Sequence, residues 1–428
     1  MTGFRSWIMR AANAQDRGFV SDDEPSPDAL ESPGMALRAA VFDSIRPVLG
    51  GRSRVILATD GELARIPFEA LPLDSAGRYL ADDYRLSYVD TGRDLLGPLL
   101  ATNGISSSAV VVADPDFDLA QRSVVRTLWK GWRSRFARTT TQAGPFTGRS
   151  SRQPRDDDQK DWHFERLPGT RIEGELVAGM LGVPLWHGSD ALEKRLKDRV
   201  SPRILHLATH GFFLKHQPFN PPSTERCGDL AQRFLPIENP LLRCGLALAG
   251  ANHVFTPDIL PEEAEDGLLT AEDVACLDLQ GTEIVVLSAC ETGLGAVQIG
   301  EGVFGLRRAF VLAGAKTLIM SLWKVADLPT AILVTRLYEN LIEARMHRDE
   351  ALRQAQHYLR QLSVGQLRDR WFNTESVRRL ADDHAKARAA IEGYLAHADP
   401  YQPFDHPYYW AAFILLGNTT PLVQDCRS

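Results

Sequence analysis

Apolar runs closed by polar turns alternate with stretches of helical periodicity along most of the 428-residue chain. A helical pattern runs from Ala36 through Leu49, and RVILATDG then has the form of a short buried strand ended by a turn. IPFEALP follows as a loop and YRLSYVDT as a strand. SSAVVVADPDF is an apolar run that ends in a polar loop, the sequence form of a parallel strand buried on both faces, and it is expected to open the main sheet. Farther on, the pattern predicts helices over Gly169 to Leu181 and Ala191 to Val200, then strands in RILHLATHG and EIVVLSACETG. Helix EGVFGLRRAFVLAG, strand KTLIMSLWKV, one long helix from Leu328 to Leu362 and a helical stretch over Val377 to Ala398 come next, and HPYYWAAFILLG suits a closing strand. Strands separated by helices predict βαβ crossovers, hence an α/β fold with a mainly parallel central sheet and helices on both faces. No internal repeat of about 20 to 50 residues marks a solenoid.

Two stretches lack periodicity. Residues 1–36 combine Gly, Ser and Pro with the acidic run Asp22 to Glu24 and are expected to form a flexible leader without chemistry. Residues 121–165 pass from an Arg-rich stretch to RDDDQKD, which predicts a long mobile insertion and a candidate for processing or partner contact.

Composition narrows the class without specifying it. A hydrophobic content of 44% and a charged content of 24% are ordinary for globular chains. A net charge of −7 is modest for this length and does not imply nucleic acid, so no direct nucleic-acid binding is expected. MTGFRSWIMRAANAQ has no continuous apolar core of a signal peptide, and no run approaches the ~18 apolar residues of a membrane span, so a cytoplasmic protein without membrane contact is expected. Cys227, Cys244, Cys276, Cys290 and Cys426 make no CxxC pair, and an odd number of cysteines suits a reducing compartment.

Two apolar strands end in reactive residues, His210 in RILHLATHG and Cys290 in EIVVLSACETG. Ligands of open parallel sheets bind beyond the carboxyl ends of the strands, so both side chains are placed to meet in one crevice. A neighbouring imidazole lowers a thiol's pKa or takes its proton, then protonates a leaving amine. Gly211 lets a substrate approach closely, and the backbone N–H groups of Gly211 and Cys290 are candidates for an oxyanion hole. From pattern alone, a buried strand-end cysteine and a core histidine remain an equal alternative.

HLATHG, VVLSACETGLG, GEGVFGLRRAFVLAGAKTLIMSLWKVAD and HPYYWAAFILLG, with RVILATDGELARIPFEALP upstream, resemble the motif blocks of CHAT domains and stand in the family's order. The resemblance covers about residues 37–418 and implies the caspase-like three-layer sandwich, with 37–108 as the N-terminal part, 109–418 as the peptidase core and 419–428 as a tail. It also implies a cysteine endopeptidase that acts on a protein or peptide substrate through His210 and Cys290 and is activated by a protein partner. By the same resemblance to caspases, Trp323 and Lys324 are expected to line the substrate groove, while Asp114 in the first sheet-strand loop and Ser288 before the nucleophile contribute to specificity; Glu291, next to Cys290, is a candidate for a further charge. Asp114, with Asp116 and Asp118, favours a basic substrate residue, whereas Ser288 is neutral and Lys324 opposes it, so no preference emerges. Many family members carry TPR repeats ahead of the domain; with only a short leader, such control in cis is not expected. A catalytically idle interaction module of the same fold is the alternative function.

Other motifs carry less. His206 and His210 have the i, i+4 spacing of a helical zinc pair, but RILHLAT predicts a strand and no HExxH glutamate is present. GLGAVQIGEG lacks the third glycine of a dinucleotide fingerprint, since Gln298 stands there, and DPDFD lacks the Gly and closing Glu of a calcium loop. No metal or cofactor is therefore expected.

Overall fold

A computed structural model describes residues 3–9, 27–96, 105–119, 163–213, 240–242, 244–253, 260–288, 301–323, 326–383 and 385–422. Its centre is an eight-stranded sheet in the order β1-β2-β11-β10-β9-β5-β3-β4. These strands are Arg54–Ala58 (β1), Arg85–Val89 (β2), Val110–Pro115 (β3), Leu185–Gly188 (β4), Ile204–Ala208 (β5), Ile284–Leu287 (β9), Thr317–Ser321 (β10) and Phe413–Gly417 (β11). A smaller antiparallel sheet joins Gly211–Phe213 (β6), Cys244–Ala247 (β7) and Leu268–Thr270 (β8).

Six of the seven pairings in the large sheet are parallel, and β10 with β11 is the exception. The sheet is thus two parallel blocks of opposite direction, and the expectation of a mainly parallel α/β sandwich holds. The main sheet does not open at β3, however, because β1 and β2 belong to it. Strands β3, β5, β9 and β10 are buried at every position, which explains their unbroken apolar runs. By contrast, edge strand β1 alternates exposed and buried residues.

Helix Pro168–Leu181 (α2, after Pro27–Val41 as α1) supplies the crossover from β3 to β4, and Glu301–Ala313 (α3) joins β9 to β10. Gly174 lets α2 lie against β3, for a Cβ there would come within 2.6 Å of Ala113. The expected long helix 328–362 is two: Asp327–Tyr338 (α4) runs into a π-helical turn at Glu339–Glu343, and Arg348–Gln361 (α5) starts afresh. Between them Arg345 takes a left-handed φ of 51°, and Arg348 is drawn into the core, where it donates to Glu283 and Thr317. Those buried bonds outweigh continuous helix propensity. In the last motif block, Pro407–Trp410 is a helical turn before β11, with His406 Nδ1 accepting from the Tyr408 N–H.

Part of the expected leader is folded. Residues 3–9 are helical, and Phe4, Trp7 and Ile8 are buried in the main core, Trp7 against the His406 ring. A short amphipathic helix among Gly and Ser residues carries too little periodicity to stand out in sequence. Of the expected insertion, 163–165 is described and packs on the sheet, as set out below. No described helix is long and apolar enough to cross a membrane.

Candidate active site

The carboxyl ends of β3, β5, β9 and β10 lie along one edge of the sheet. This edge carries Asp114, His210, Ser288 and, beyond β10, Trp323. His210 follows β5 by two residues, and its backbone is pinned on both sides: Ala247 N–H donates to the His210 carbonyl at 2.8 Å, and Thr209 Oγ1 donates to the Ala247 carbonyl at 2.6 Å. The small sheet thereby takes over from the large one at Gly211, which is buried at the start of β6.

The imidazole of His210 is half-buried between Phe117 and Phe164, with ring centroids 5.3 and 5.6 Å away. Its Nε2 lies 2.8 Å from the Glu165 carbonyl oxygen. A carbonyl only accepts, so Nε2 carries the proton and, in the neutral ring, Nδ1 carries the lone pair. The tautomer of His210 is thus set by main chain from the end of the sequence-predicted insertion.

Residues 163–167 form a strap that several bonds hold down. The Phe164 N–H donates to Asn252 Oδ1 at 2.8 Å, and Asn252 Nδ2 donates to the Phe164 carbonyl and to Asp118. Arg166 Nε and Nη2 donate to the two carboxylate oxygens of Asp114 at 2.9 and 2.6 Å. This fork holds the Arg166 pKa above its ordinary value. Asp114 is 3% exposed with φ of 45°. Its charge is thus engaged by Arg166 rather than displayed for a basic substrate residue, a pairing invisible in sequence because the partners lie 52 residues apart.

Ser288 is buried as well. Its N–H donates to the Leu207 carbonyl at 2.9 Å, continuing the β5–β9 ladder, and its Oγ donates to Glu173 Oε2 at 2.9 Å. The other Glu173 oxygen lies 3.3 Å from His206 Nε2, while His206 Nδ1 lies 3.4 Å from the Tyr338 hydroxyl. Burial, and secondarily the Glu173 charge, pushes the Tyr338 pKa well up. His206 therefore points into the core under α2 and α4 while His210 stands beyond the strand end, and the two do not share a helix face as a zinc pair would.

Trp323 is 2% exposed and donates from Nε1 to the Tyr408 carbonyl at 3.0 Å, so it joins β10 to the HPYYW block. It also lines a cleft with Glu173, Ser288, Ser321 and Asp327. The structure therefore brings Ser288 and Trp323 together, with Asp114 apart from them in its pairing with Arg166. Cys290, Glu291 and Lys324 lie outside the described residues, as does the glycine-rich segment that contains Gln298.

Sequence reasoning missed Glu165, Arg166 and Glu173. For Glu173 a signal existed: Gly169, Thr170, Glu173, Gly174, Val177 and Ala178 form one buried stripe of α2, and a carboxylate on such a stripe demands a partner. For the strap residues none existed, since they end an aperiodic segment.

Sheet topology, the paired strand ends and the helices around them define an α/β protein of the caspase-like kind. The CHAT domain model matches residues 31–418, and the chain belongs to the CHAT domain family. It is 24% identical to tetratricopeptide repeat protein 28 of Homo sapiens over 411 residues and to that of Mus musculus over 399 residues, covering 90% of this chain in each case. The chain spans 13% of the length of those relatives.

Proposed function

We propose that the chain is a cysteine endopeptidase in which Cys290 attacks a peptide carbonyl and His210 moves the proton. One observation carries the reading. The β5–β9 ladder pairs Ile204 with Ile284 and Leu207 with Leu287, and His210 and Cys290 are separated by the same interval. Ser288 is the last described residue before Cys290, and two residues reach at most ~7 Å along the chain.

In this reading Nδ1 of His210 takes the thiol proton, since Nε2 is held by Glu165. The thiolate adds to the scissile carbonyl, and the backbone N–H groups of Gly211 and Cys290 receive the oxyanion. The imidazolium returns its proton to the leaving amine, and water hydrolyses the thioester. Within the site, the segment after β10 borders the substrate groove, with Lys324 and Glu291 as charged neighbours, while Ser288 and Trp323 are buried behind it. Asp114 acts by holding the strap. A working thiolate requires a reducing compartment, consistent with the cytoplasm. Activation by a protein partner completes the proposal.

The test is a peptide library incubated with wild type and Cys290→Ala, with and without candidate partner proteins. Cleavage by the wild type alone is expected. Equal cleavage by both rejects the nucleophile, and absence of cleavage in every condition favours an interaction module with idle chemistry.

A further inference from the structure

Beneath the edge that carries His210 runs a buried polar bridge with no counterpart in the chemistry above. Ser288 Oγ donates to Glu173 Oε2 at 2.9 Å, and Glu173 Oε1 faces His206 Nε2 at 3.3 Å. Glu173 is 1% exposed and His206 0%. Ser288 follows β9 directly, two residues before Cys290, and His206 lies in β5 four residues before His210. One helix residue therefore ties the residue that follows β9 to α2 by a hydrogen bond, and its other oxygen faces His206 of β5 at 3.3 Å without hydrogen-bond geometry. A buried carboxylate is retained only with partners, and its removal strands them, so the Ser288–Glu173 bond resists splaying of the β9 end away from β5 and α2.

We infer that Glu173 is a positioning residue that anchors the end of β9 to α2 through Ser288, against His206 of β5, and so steadies the strand end from which the chain runs on to Cys290. The catalytic consequence rests on the proposed dyad; the anchor itself does not. Ser288, which the resemblance assigns to substrate recognition, serves in this account as the strand's anchor to α2.

Amide hydrogen exchange on the full chain reads the anchor without any appeal to catalysis. Ser288→Ala and Glu173→Leu should each speed exchange about tenfold or more in peptides covering 204–210 and 284–288, leaving α5 unchanged. The double variant should add little to Glu173→Leu, because both changes remove the same bond. Glu173→Gln, which keeps an oxygen for Ser288, should restore most of the protection. If exchange at the two strand ends is unchanged in Ser288→Ala, or rises uniformly through the chain, the inference is overturned. Site-resolved alkylation of Cys290 against exposed Cys276 accompanies it, with about a tenfold slower Cys290 rate expected in Ser288→Ala. Should wild-type Cys290 react no faster than Cys276, the dyad falls, while the exchange pattern still decides the anchor.

Discussion

The two parallel blocks of the sheet each gather polar groups at the carboxyl ends of their strands, and the two gatherings differ in kind. At the end of β2, Tyr88 donates to Glu69 at 2.6 Å and accepts from the Phe68 N–H, and Asp90 lies 2.8 Å from Arg307, whose side chain is wholly buried. Every one of these groups faces another within the core. At the end of β5, His210 is half-buried, its Nε2 fixed by a main-chain carbonyl, and a buried triad lies below it. Polar residues at strand ends are thus no mark of chemistry by themselves. A strand-end base with one nitrogen held and the other directed by that bond is the distinguishing feature.

That contrast predicts that changes at the two ends separate activity from stability. The largest effect belongs to His210→Ala, which should lower peptide cleavage ~10³-fold or more with little change in melting temperature. A modest loss of activity would erase the distinction between the ends. Next, Arg307→Met leaves Asp90 buried without its cation and should cost about 3 to 5 kcal/mol in denaturant unfolding, with the residual folded protein retaining its turnover. A specific loss of turnover at full stability would place the β2 end in the mechanism.

Smaller still is the pH response of Glu69, whose carboxyl burial pushes from 4.5 up to about 7. Because the folded pKa lies above the unfolded one, the contribution of the neutral carboxyl is fully present below about pH 4.5 and is lost as pH rises through about 7. Glu69→Gln should flatten the decline of stability across that window, measured by thermal melts; parallel curves for the two proteins would contradict the burial. The smallest effect is that of Asp114→Asn, since Arg166 is 44% exposed and the pair contributes no more than about 1 kcal/mol. Its sharper readout is strap order, seen as faster exchange at 163–167.

Much of this was legible in sequence. Strands β3, β5, β9 and β10 stand out because burial on both faces demands unbroken apolar runs, and the motif blocks carried the family. The helix break at Arg345 was hidden, because it is imposed by Arg348 reaching Glu283, a contact across 65 residues. The core packing of Phe4, Trp7 and Ile8 was hidden for a similar reason: about two turns of helix are too few to show a period. At the site, His210 was legible from its strand and Glu173 from the buried stripe of its helix, whereas Glu165 and Arg166 act through tertiary contacts that leave no local pattern. The aspartates near Asp114 looked available to substrate only because their partner lay at the end of an aperiodic segment.

The central claim is that His210 activates Cys290, and alkylation of the full-length protein tests it directly. Rates mapped to individual cysteines near neutral pH should show Cys290 reacting faster than Cys276 in the wild type, with that advantage abolished in His210→Ala. Equal rates for the two cysteines, or a Cys290 rate indifferent to His210→Ala, would contradict it.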